Sequence, residues 1–119
     1  IGDSAYNAEE VAASTRELLE AHPNISAMFG CNDQVSITAM HTAVEMGRKL
    51  PEDLSFVGFD NINLAEYAMP PLTTMHVDKI GLGRIAVQLL SNRITFPDSA
   101  RVKALLHPTL IERKSVVDV

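Results

Sequence analysis

Apolar and polar positions along the chain group into helical and strand-like stretches that alternate from one end to the other. Asn7, followed three residues later by Glu10, starts a helix, because a short side-chain oxygen can take the free N–H groups of a first turn. Val11, Thr15, Leu18 and Leu19 then recur at helical spacing until His22-Pro23-Asn24 stops the run. Ala27 to Cys31 reads as a strand, Asp33 to Met46 as a second helix ending at Gly47, and Leu54 to Phe59 as a second strand after the Pro51-Glu52-Asp53 turn. Pro70-Pro71 leads into a strand from Leu72 to Val77. A third long helix runs from Asp78 to Ile94, with Leu82, Ile85, Ala86, Leu89 and Leu90 on one face. After the break at Phe96-Pro97-Asp98-Ser99, two short strands are expected, Val102–Leu106 and Thr109–Glu112, joined at His107-Pro108. Helices alternating with apolar strands indicate an α/β fold with a parallel sheet, with no internal repeat or low-complexity linker.

Two strands end in matching polar pairs, Asn32-Asp33 after the first and Asp60-Asn61 after the second. In parallel sheets the loops beyond the carboxyl ends of the strands line the ligand crevice, so the two pairs point to one site. The second helix carries two apolar stripes. Val35, Ala39, Ala43 and Met46 suit the sheet, while Ile37, Met40 and Val44, about 130° away, need a neighbouring element or another subunit.

Composition narrows the function classes. The 119 residues are 46% hydrophobic and 21% charged, enough for one modest core, and no apolar run is long enough to span a membrane. A net charge of −5 argues against this segment gripping nucleic acid, which needs clustered Lys and Arg. The single Cys31 rules out an internal disulfide, fits a reducing compartment and reads as a small buried residue at a strand end. His22, His41, His76 and His107 have no ligand spacing, so no metal site is supported, and no serine or cysteine has a convincing base and orienter. Gly81-Leu82-Gly83-Arg84-Ile85-Ala86 fits a dinucleotide fingerprint in letters only, since its glycines fall within a helical pattern instead of a strand-to-helix turn. Asp60 at a strand end also evokes a phosphoacceptor, but the second acidic cluster such receivers need is not in evidence. No cofactor and no enzymatic activity are expected.

Four blocks carry a family resemblance: Phe29-Gly30-Cys31-Asn32-Asp33, Leu50-Pro51-Glu52-Asp53-Leu54-Ser55-Phe56-Val57-Gly58-Phe59-Asp60-Asn61, Pro70-Pro71-Leu72-Thr73-Thr74 and Leu110-Ile111-Glu112-Arg113-Lys114-Ser115. Together, and in their spacing, they resemble the lactose/galactose/purine repressor family over essentially the whole chain. The resemblance implies a type I periplasmic-binding-protein-like parallel-sheet sandwich. It places residues 1–76 and 107–119 in the C-terminal lobe of an effector domain and residues 77–106 in the other lobe. The helix-turn-helix head of such a regulator would lie outside this chain, so operator DNA would be met only through that head. The implied partners are a small-molecule effector, a sugar or nucleoside-like compound, and a second copy of the chain, in the cytoplasm and without a membrane. A periplasmic solute-binding protein of a sugar transporter is the alternative.

By the same resemblance Asp60, Asn32 and Tyr6 are effector contacts. A carboxylate can accept from adjacent sugar hydroxyls or ring N–H groups, an amide both donates and accepts, and an aromatic face stacks on a ring. The residues also admit plainer readings: Asp60 as the cap of a short helix starting near Ile62, Asn32 as the cap of the second helix, and Tyr6 as packing. Asp33 is assigned to capping. Lys79 stands where some members present a lid-side Phe, which would favour a more polar or anionic effector. Ile37, Met40 and Val44, with Leu64, Ala65, Tyr67 and Ala68, form the expected dimer surface.

Overall fold

A computed structural model describes residues 7–117 of the chain. Among them the elements follow in the order α1 (Ala8–Ala21), β1 (Ala27–Phe29), α2 (Asp33–Glu45), β2 (Ser55–Asp60), α3 (Asn63–Tyr67), β3 (Thr73–His76), α4 (Lys79–Thr95) and β4 (Thr109–Ile111). The chain divides into two compact units. One extends to His76 and takes up again at Leu110, and the other runs from Val77 to Thr109.

The four strands form one sheet in the order β1-β2-β3-β4, with β1 parallel to β2 and β2 parallel to β3. The register sets Val57 against Thr73 and Asp60 against His76, so the carboxyl ends of β2 and β3 finish level with each other. Leu19, Ala39, Met40, Ala43, Leu54, Phe56, Ala65 and Leu72 form the core of the first unit, between the helices and the sheet. Ser115 ties the returning segment to both central strands. Its hydroxyl donates to the Phe56 carbonyl (2.6 Å) and accepts from the Thr73 N–H (2.8 Å), while its carbonyl accepts from the Phe56 N–H (2.7 Å).

The helix ends follow their local chemistry. The Asn7 side chain accepts from Glu9 and Glu10 N–H at the start of α1. At the end of α2, Gly47 adopts φ +87°, its N–H reaches Val44 O, and the Arg48 N–H reaches Ala43 O. That paired arrangement satisfies two carbonyls the helix leaves free, and it needs a residue tolerant of positive φ. Gly81 and Gly83 lie inside α4, whose cap is the Asp78 side chain on the Gly81 N–H (2.8 Å).

Several expectations are corrected. Residues 102–106 form no strand: among the described residues of their unit, α4 is the regular element and no partner strand is available within it. Cys31 is exposed, because β1 ends at Phe29 and the chain is already turning into α2. Met40 is 2% exposed and belongs to the unit's own core, so it is not available to a partner. No described helix is long and apolar enough to cross a membrane.

Candidate functional site at the strand ends

The loops after β1 and β2 meet over the N-terminus of α2. The Asn32 side-chain oxygen accepts from the Val35 N–H (2.9 Å) and caps that helix. Ser36 packs the first turn onto the strand ends, its hydroxyl donating to the Asn32 carbonyl (3.0 Å), and the Gly30 N–H bonds the Val57 carbonyl (3.0 Å). A side chain at position 30 would collide with the Ser36 hydroxyl, so this approach requires glycine.

Asp33 does more than complement the positive end of α2. Fully buried (0% exposed), it accepts from the Thr74 hydroxyl on β3 (2.5 Å) and from the Ile62 N–H beyond β2 (2.8 Å). One carboxylate thus joins α2, β3 and the β2 exit, with no buried polar side-chain atom unpaired among the described residues.

Asp60 closes β2 with φ 106°, and Asn61 follows at φ 49°. Both are left-handed, a conformation that costs a non-glycine residue about 1–3 kcal/mol and persists only where the surroundings hold it. Here the hold is explicit. Arg113 Nη2 donates to Asn61 Oδ1 (2.8 Å), Asn61 Nδ2 meets His76 Nδ1 (3.2 Å), and the Asn61 N–H reaches the Thr74 hydroxyl (3.4 Å). Arg113 is itself fixed by Nη1 on the Leu72 carbonyl (2.8 Å) and by its backbone N–H on the Thr73 hydroxyl (2.9 Å). The short helix α3 begins at Asn63, with Ile62 at its N-cap position and no side-chain bond from that residue.

The expected contacts therefore divide. Asp60 and Asn32 both stand at strand ends, half-buried, with Asn32 also capping. Tyr6 lies outside the described residues. Lys79 is the exposed first residue of α4, in the second unit. Asn61, Thr74, His76 and Arg113 lie inside or beside the family blocks, but their convergence on one turn could not be read from spacing. Among the described residues no group of His, Cys, Asp or Glu is placed to hold a metal ion.

The sequence model of the periplasmic binding protein-like domain matches residues 2–116. The chain belongs to that family. Within it, the relatives are regulators. The HTH-type transcriptional repressor PurR of Mannheimia succiniciproducens is 35% identical over 114 residues, covering 96% of this chain and 34% of the repressor. Among solved structures, a transcriptional regulator CelR–cellobiose complex superposes with a TM-score of 0.86 at 33% identity, over 92% of this chain and 34% of that one. A lac repressor dimer bound to operator and the anti-inducer ONPF gives 0.84 at 28% identity, over 94% and 39%. The chain spans about a third of the length of the repressors it matches. These relatives are described as transcriptional repressors and regulators.

On the helix side of this domain, Val44, Leu64 and Tyr67 stay 51%, 60% and 78% exposed. Ile37 is half-buried against the core. The two helices carrying Val44 and Leu64 touch, so the apolar positions fall on neighbouring elements of one unit.

Proposed function

We propose that this chain is the effector-sensing and dimerising part of a bacterial transcription regulator, non-enzymatic and cytoplasmic, and that Asp60 contacts a sugar or nucleoside-like effector. The observation that carries the reading is Asp60 itself. A carboxylate-bearing residue is held in a costly left-handed conformation at the carboxyl end of a central parallel strand, where ligands of such sheets bind. An ionised carboxylate accepts two adjacent hydroxyls or ring N–H groups. Asn32 and Tyr6 are the companion contacts. Solved relatives bound to cellobiose, lactose and ribose support the polyol side of this class, and repressors named PurR support the nucleoside-like side.

Regulation then rests on differential affinity. An effector that touches both lobes stabilises one closure state, and only that difference can alter operator binding. Operator contact is assigned to sequence outside this acidic segment. The test is a thermal-shift screen of the full-length protein against sugars, polyols and nucleobases, with Asp60→Ala as control. Asp60→Ala is expected to weaken the responding compound roughly tenfold to a hundredfold, the loss of charge-assisted hydrogen bonds. A response that survives unchanged moves the site away from Asp60.

The dimer surface is assigned to Val44, Leu64 and Tyr67, with Ile37 at its margin. Val44→Glu should shift the full-length protein from dimer to monomer in sedimentation velocity, because it places an unpaired charge in an apolar contact. An unchanged sedimentation coefficient would refute this surface.

A further inference from the structure

Arg113 has only donors, and that decides how the Asn61 amide must sit. Arg113 Nη2 lies 2.8 Å from one end of the amide, so that end is the oxygen and the other, 3.2 Å from His76 Nδ1, is the NH2 group. His76 Nδ1 must then be the acceptor. The ring is neutral in this arrangement, with its proton on Nε2. We propose that Arg113, Asn61 and His76 are positioning residues that lock the left-handed turn bearing Asp60, and that the lock holds only while His76 is neutral. Its meaning for effector binding rests on the reading of Asp60 as an effector contact.

Protonation frustrates the set. With a proton on Nδ1, His76 presents a donor to the Asn61 NH2 group. Turning the amide over satisfies His76 but sets the NH2 against the Arg113 guanidinium, donor against donor. Either way one of the two bonds is lost, and Asn61 is released on one side. Charged groups near His76 in its own unit include Asp60, its register partner on β2, Arg113 from the segment after β4, and Asp33 of α2, reached through Thr74. The sign follows: a lock that needs an acceptor at His76 Nδ1 is complete while the ring is neutral and opens when that nitrogen takes up a proton.

The turn can be followed without any ligand, by hydrogen–deuterium exchange of the Phe59–Leu64 peptide in the full-length protein. Rates are corrected for intrinsic exchange and compared at about pH 7.5 and about pH 5.5. The peptide contains the Ile62 N–H that the buried Asp33 carboxylate holds. In the native protein, protection should fall roughly tenfold at the lower pH. His76→Asn puts an amide oxygen near the place of Nδ1 and cannot titrate, so protection should stay native at the higher pH and lose its acid sensitivity. Arg113→Met should lose protection at both pH values, while the Ala39–Ala43 stretch of α2 exchanges as before. Should Arg113→Met fail to fold, Arg113→Lys, which keeps one donor, is expected to fall between, and His76→Asn stands as an independent test.

Native exchange in Arg113→Met or in Arg113→Lys, or acid sensitivity that persists in His76→Asn, would overturn the proposal. The two readings fail separately. Native effector affinity in Asp60→Ala removes the binding role and leaves the lock intact, whereas native exchange in the arginine variants removes the lock and leaves the binding role intact.

Discussion

Replacing Asp33 with alanine is expected to cost about 3–5 kcal/mol of folding free energy, measured as the shift of the urea unfolding midpoint at constant m. Three losses coincide. The Thr74 hydroxyl and the Ile62 N–H lose the carboxylate that each bonds. Unsatisfied buried donors cost about 1–3 kcal/mol each, which outweighs the worth of the bonds themselves. The positive end of α2 also loses its negative charge, and a void opens where the side chain was fully buried. Asp33→Asn separates these effects. It keeps shape and one acceptor for Ile62, and the Thr74 hydroxyl can rotate to accept from the new amide, so a smaller cost of about 1–2 kcal/mol is expected. A loss below about 1 kcal/mol in the alanine variant would show that the carboxylate is not what joins the three elements.

Most of the fold was legible because its causes are local. Asn7 and Gly47 marked helix ends through groups within a few residues, and β1, β2 and β3 lie within a few residues of their expected bounds, since apolar runs and prolines set them. What could not be read depends on partners distant in sequence. Residues 102–106 have strand-like composition, but a strand needs a neighbour, and their own unit supplies none. The second stripe of α2 was visible as apolar, yet whether Met40 faces its own core or a second subunit depends on the rotation of the helix over the sheet. The structure sends Met40 inward and leaves Val44 outside. The two polar pairs at the strand ends were visible as neighbours at one edge of the sheet, but their division of labour was not. Asp33 looked like helix-end charge because its helix is adjacent, whereas its hydrogen-bonding partners are 29 and 41 residues away. Asn61 looked like a companion of Asp60 until Arg113, 52 residues on, was seen to hold it.

Gly58→Ala is expected to destabilise the protein by about 2–4 kcal/mol, although alanine is the smallest side chain that could be added. A Cβ at this position would overlap Asp33 Oδ1 and crowd Leu72 Cδ2. Neither neighbour can yield cheaply. The carboxylate is held from two sides by Thr74 and Ile62, and Leu72 is fully buried in the core. The glycine in the middle of β2 is thus the space in which the buried carboxylate sits, and a strand glycine at such a close approach is a packing requirement. This makes the two positions energetically one. In an Asp33→Ala background the obstructing oxygen is gone, so adding Gly58→Ala should cost less than it does alone, with a coupling of about 1 kcal/mol or more in the double-mutant cycle. Strictly additive losses would place the strain at Leu72 instead, and a Gly58→Ala variant with native stability would mean that Asp33 can withdraw from β2 without losing its hold on the turn that carries Asp60.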